Sequence, residues 1–78
     1  MAKAWGVFTV DRNNKAEMLE CFDGAEGFTR KDATQYVEEI KQEEADTYGN
    51  TVEIREGHIQ ETTDGPLFVE GKAYYADR

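Results

Sequence analysis

The sequence predicts an α+β domain of order β-β-α-β-β, an antiparallel sheet of three to four strands with one helix packed on a face. Three observations carry this reading. Two strand-like runs, joined by turn chemistry, fill the segment up to Phe22. A cap signal at Thr29 opens a segment whose apolar residues recur at helical spacing. After Gly49 the pattern returns to period-two alternation, interrupted by one turn ending in Gly65-Pro66.

The first strand is Trp5-Gly6-Val7-Phe8-Thr9-Val10, rich in aromatic and β-branched residues. Asp11-Arg12-Asn13-Asn14-Lys15 forms the turn, because Asn and Asp tolerate left-handed backbone angles. Ala16 to Phe22 is the second strand, completing a β-hairpin. Apolar residues fall on both of its faces, which leaves open the face that meets the core. Asp23 to Gly27 is a loop. Thr29 then caps the helix, with Asp32 closing a capping box and Phe28 placed to staple onto Ala33. Ala33, Tyr36, Val37 and Ile40 give the helical spacing, and the helix is expected over 30–48, stopped by Gly49-Asn50.

Thr51-Val52-Glu53-Ile54-Arg55 alternates, with Val52 and Ile54 toward the core and Glu53 and Arg55 outward. This strand continues past Gly57 to about Ile59. Thr62 to Pro66 is a turn, and Leu67-Phe68-Val69 is the fourth strand. Ala73-Tyr74-Tyr75 extends that strand, or Glu70-Gly71 turns and splits it. Residues 1–78 make a single domain, since a chain this short has room for one core.

Charge narrows the function. The chain carries a net −8. Residues 1–37 hold six acids and five bases, and residues 38–78 hold eleven acids and four bases. The longest basic run is Arg30-Lys31, so direct nucleic-acid binding and adhesion to an anionic membrane are both disfavoured. No apolar run reaches the roughly 20 residues of a membrane span, and Met1 to Gly6 has no signal-peptide pattern. The expected location is cytoplasmic.

No catalytic, cofactor or metal motif is present, and no enzyme activity is expected. His58 is the only histidine and reads as a solvated loop or strand-end residue. Cys21, the only cysteine, reads as a small core hydrophobe. A nucleophile-and-base pairing of the two needs them adjacent in the fold. Asp11 to Lys15 opens like a calcium loop but places Lys15 where a ligand belongs. Gly24 and Gly27 lack the spacing and the lysine of a phosphate-binding loop.

The helix carries the strongest functional signal. Glu38, Glu39, Glu43, Glu44 and Asp46 fall within nine residues that contain one lysine. Glu39 and Glu43, one turn apart, repel by about 0.2–0.5 kcal/mol. Glu43, Glu44 and Asp46 lie near the helix C-terminus, where the dipole disfavours each anion by about 0.3–1 kcal/mol. A solvated face selected for stability would carry lysine there, unless Arg55 or Lys72 pairs with these acids. Five carboxylates over about 13 Å of helix give one per roughly 2.7 Å, close to the 3.4 Å phosphate spacing of one DNA strand. Val7 to Val10, the capped helix from Thr29 and the acidic stretch Glu38–Asp46 together resemble small acidic phage-encoded inhibitors, among them anti-CRISPR proteins and DNA mimics. The likeness lies in size, element order and charge.

Two functions follow as expectations. The first is an acidic protein-binding module, an inhibitor that docks on a basic, nucleic-acid-binding surface of a partner protein. It would bind through Glu38, Glu39, Glu43, Glu44 and Asp46, with Tyr48 as an aromatic anchor. The alternative is an assembly module that self-associates, as a homodimer in its simplest form, through a strand edge or an aromatic patch of Trp5, Phe68, Tyr74 and Tyr75.

Overall fold

The computed structural model describes residues 2–71. Strands β1 (Ala4–Val10) and β2 (Ala16–Asp23) lead through a 3-10 turn (Gly24–Glu26) to helix α1 (Arg30–Glu43). One π-helical turn (Glu44–Tyr48) extends α1, and β3 (Thr51–Thr62) and β4 (Gly65–Glu70) follow. The sheet has the order β2-β1-β3-β4, with every neighbouring pair antiparallel. The expected β-β-α-β-β order and antiparallel sheet are therefore present. Because β2 and β3 both run antiparallel to β1, they are parallel to each other, and α1 is the crossover between them.

Local chemistry sets the element ends. Asp11 Oδ1 accepts from the amides of Asn13 and Lys15, both at 2.9 Å, and Asn14 takes the positive φ of 65° that closes the hairpin. At the start of α1, the Asp32 carboxylate accepts from the Thr29 amide at 2.8 Å. At its end, Gly49 takes φ 70° and its amide donates to the Ala45 carbonyl at 3.1 Å. The Asn50 amide reaches the Glu44 carbonyl, also at 3.1 Å. That closure is one residue wider than a Schellman cap, which accounts for the π turn.

The two faces of the sheet are filled differently. Val7 and Thr9 are buried, and their register partners Ile54 and Val52 share their side of the sheet. This side meets α1, whose Ala33 is fully buried and whose Tyr36 ring lies 5.7 Å from that of Phe22. Phe28, expected over Ala33, lies edge-on to Phe22 at 5.4 Å and stays 42% exposed.

On the other face the sheet curls. Phe68 of β4 reaches Phe8, two strands away, at 5.9 Å between ring centroids. Arg55 also turns to this face, with its guanidinium 4.6 Å from the Phe8 ring centre. Two glycines make the curl possible. A side chain at Gly6 would occupy the space taken by the Phe8 and Phe68 rings. A side chain at Gly57 would collide with the Val69 carbonyl and lie 2.9 Å from Glu70 Cα, so β4 approaches β3 there as only glycine allows. The expected strand at Ala73-Tyr74-Tyr75 lies outside the described residues.

Candidate interaction surface

The carboxylates of the helix diverge. A residue on α1 is turned about 100° from its predecessor, and Asp32, Ala33, Tyr36, Val37, Ile40 and Glu44 occupy the less exposed side. Glu38 lies on the outer side and pairs with Lys41 at 2.9 Å. Glu44 lies on the sheet side, where its carboxylate accepts from Asn50 Nδ2 at 3.3 Å. Asp46 accepts from Gln42 Nε2 at 3.0 Å. Tyr48 is 63% exposed in the π turn. Glu39 and Glu43 remain, stacked one turn apart and exposed, with no ion pair or side-chain hydrogen bond among the described residues. The six expected contact residues therefore do not form one row.

Glu39 and Glu43 lie on the flank of α1 that also carries Tyr36, and Tyr36 meets Phe22 of β2. This flank therefore fronts the edge strand. On β2, Glu20 pairs in register with Val7 and Glu17 with Thr9. Val7 and Thr9 face the helix, so both glutamates do as well. Strict alternation would not place Glu17 and Glu20 on one side. A β-bulge at Leu19 does, because the register slips between Val7↔Glu20 and Phe8↔Met18. Glu17, Glu20, Glu39 and Glu43 thus come from two adjacent elements and share one acidic margin. The sequence reading missed the two strand glutamates because a bulge has no reliable signature in side-chain pattern.

Lys15 lies beside Glu17 at the hairpin end, but among the described residues no base forms an ion pair with Glu17, Glu20, Glu39 or Glu43. Arg55 is held on the opposite face by Glu53 at 2.5 Å and Glu70 at 3.3 Å. Lys3 pairs with Glu56 on β3 at 2.9 Å. Arg12, from the hairpin turn, approaches the end of the helix, where its Nη2 would lie 3.5 Å from a side chain at Gly49. A positive charge at that point favours the helix dipole without reaching Glu39.

His58 differs from expectation. It is not a solvated strand end but a mid-strand residue, 6% exposed, paired in register with Val69. Strand β3 runs on to Thr62, and that length carries His58 into the interior. Its Nδ1 has no hydrogen-bond partner among the described residues. Cys21 is half-buried on β2 and pairs in register with Gly6, on the face away from α1. His58 is two residues beyond Glu56, which pairs with Trp5 on the helix side. The two side chains therefore point to opposite faces, and a Cys-His pair is excluded. Burial raises the Cys21 pKa first, and Asp23, Glu20 and Glu26 raise it further, so its thiol is a poor nucleophile.

Among the described residues no group of three or more His, Cys, Asp or Glu could hold a metal ion, and no helix is long and apolar enough to cross a membrane. A cavity of about 260 Å³ opens at the hairpin end, lined by Thr9, Asp11, Lys15, Ala16, Glu17 and Asn50. It is smaller than the roughly 300–1,000 Å³ of ordinary ligand sites. Compared with known protein families, characterised proteins and solved structures, the chain matches none.

Proposed function

We propose that this protein is an acidic protein-binding module, an inhibitor that docks on a basic surface of a partner protein. The observation that carries the reading is the placement of Arg55. The sequence left open whether Arg55 cancels the acidic helix. It is committed to Glu53, Glu70 and Phe8 on the far face, Lys72 lies outside the described residues, and among the described residues Glu39 and Glu43 have no ion pair. The docking surface is the margin of α1 and β2, with Glu39, Glu43, Glu17 and Glu20 supplying charge. The bulged Leu19, 40% exposed on the same edge strand, supplies apolar contact. The helix acids diverge around the axis, which favours a broad acidic surface over a row of charges imitating phosphates.

The test compares wild-type and E39Q/E43Q baits in parallel captures at low and high salt. Neutralising the pair removes its mutual repulsion, so stability holds or rises by about 0.2–0.5 kcal/mol. A partner recognised through this margin is recovered about tenfold less on the neutralised bait, and association weakens as salt screens the charge. Equal recovery on both baits at every salt concentration overturns the reading.

A further inference from the structure

The two edges of the sheet are built differently. Edge strand β2 is guarded. It has the bulge at Leu19 and the acids Glu17 and Glu20, and the Cys21 amide is already occupied by Glu20 Oε1 at 3.1 Å. Strand β4, the other edge among the described residues, has no charged residue from Gly65 to Val69, and its Leu67 is 55% exposed.

The outward-facing groups of β4 can be counted. The Gly71 amide donates to the Glu56 carbonyl at 2.8 Å, toward β3. Counting back in twos, Val69 and Leu67 also face β3, and Glu70, Phe68 and Pro66 direct their backbone polar groups outward. Pro66 agrees with this count, since its missing N–H falls where no ladder bond is lost.

We propose that a second copy of this chain pairs along β4, antiparallel about a two-fold axis at Phe68, to make one continuous sheet. Phe68 then exchanges two backbone hydrogen bonds with Phe68 of the second copy. Each Glu70 amide donates to the Pro66 carbonyl of the other chain. The Phe68 rings come side by side and extend the Phe8–Phe68 cluster across the axis. Charge permits this register: Glu70 lies opposite Pro66 rather than opposite another Glu70, and Arg55 holds its carboxylate at 3.3 Å. Glu17, Glu20, Glu39 and Glu43 take no part, so the pairing and the docking function stand or fall separately.

Wild-type protein is first studied by sedimentation equilibrium at low and high salt. The solution mass is expected to approach twice that of one chain, and dimerisation should tighten as salt screens two chains of net −8. The register is then tested by cross-linking in a Cys21→Ser background. Residues 67 and 69 of different chains face each other across the axis at a non-hydrogen-bonded position, about 4.5 Å between Cα atoms, within disulfide range. A mixture of Leu67→Cys and Val69→Cys chains is expected to form the mixed disulfide dimer faster than either chain alone. A wild-type monomer at roughly 1 mM in high salt, too weak for about −4 kcal/mol of association, overturns the pairing. So does a mixture that cross-links no faster than its components.

Discussion

Replacing Gly57 with alanine tests the curl of the sheet, because the new methyl has nowhere to go. It collides with the Val69 carbonyl and lies 2.9 Å from both Val69 C and Glu70 Cα. All three atoms are main chain, so no rotamer change relieves the contact, and β4 must move away from β3. Overpacking of this kind costs about 1–3 kcal/mol, and a collision with fixed backbone belongs at the upper end. In a domain of this size 1 kcal/mol shifts the melting midpoint by about 4–8 °C, so G57A should melt about 10–20 °C below wild type. The displacement also draws Phe68 away from Phe8 and Gly6, so aromatic near-UV dichroism should weaken below the transition. Gly27→Ala is the control. Gly27 has φ 94° but nothing within 4 Å, so its cost is only the backbone strain of about 1–2 kcal/mol, with the aromatic signal intact. A G57A protein that melts within about 3 °C of wild type, less than 1 kcal/mol for this size, would refute the close approach of β4.

Two further expectations concern single side chains. His58→Phe removes a buried nitrogen that has no partner among the described residues, so resistance to urea should hold or rise by up to about 1 kcal/mol, and a loss of that size would mean Nδ1 makes a bond in solution. Cys21 should react with iodoacetamide more slowly in the folded chain than in the urea-unfolded one, with the pH dependence of the rate displaced upward, because a raised pKa leaves less thiolate at neutral pH. Equal rates in the two states would show the thiol to be neither covered nor electrostatically opposed.

Elements governed by local chemistry were legible in the sequence. The Asp11–Lys15 turn, the Thr29–Asp32 cap and the Gly49 stop each depend on residues within a few positions of one another. The features that decide the surfaces are non-local. The bulge at Leu19 exists only against β1, and it moves Glu17 to the helix side. Gly57 reads as a weak point in a strand until β4 is seen crossing it. Arg55 reads as an outward charge by alternation. It does face away from α1, but the curl brings Phe8 beneath it and Glu70 beside it. His58 was misjudged for a related reason: the strand was expected to stop at about Ile59, whereas pairing with β4 carries it on to Thr62 and leaves His58 mid-strand and buried.

The opposite placement of the two edges has a consequence for how the charge acts. Strands β2 and β4 bound the sheet on opposite sides. Pairing through β4 therefore leaves the acidic margin of β2 and α1 at the two outer ends of the dimer. Each dimer then presents two copies of the docking surface, and a target with two basic sites within reach is held by both. Salt acts on the two associations with opposite sign. It screens the repulsion between like-charged chains and favours the dimer, and it screens the attraction to a basic partner and weakens docking. Overall binding to a bivalent target should therefore pass through a maximum at intermediate salt, whereas a monomeric module would lose affinity steadily from the lowest salt upward.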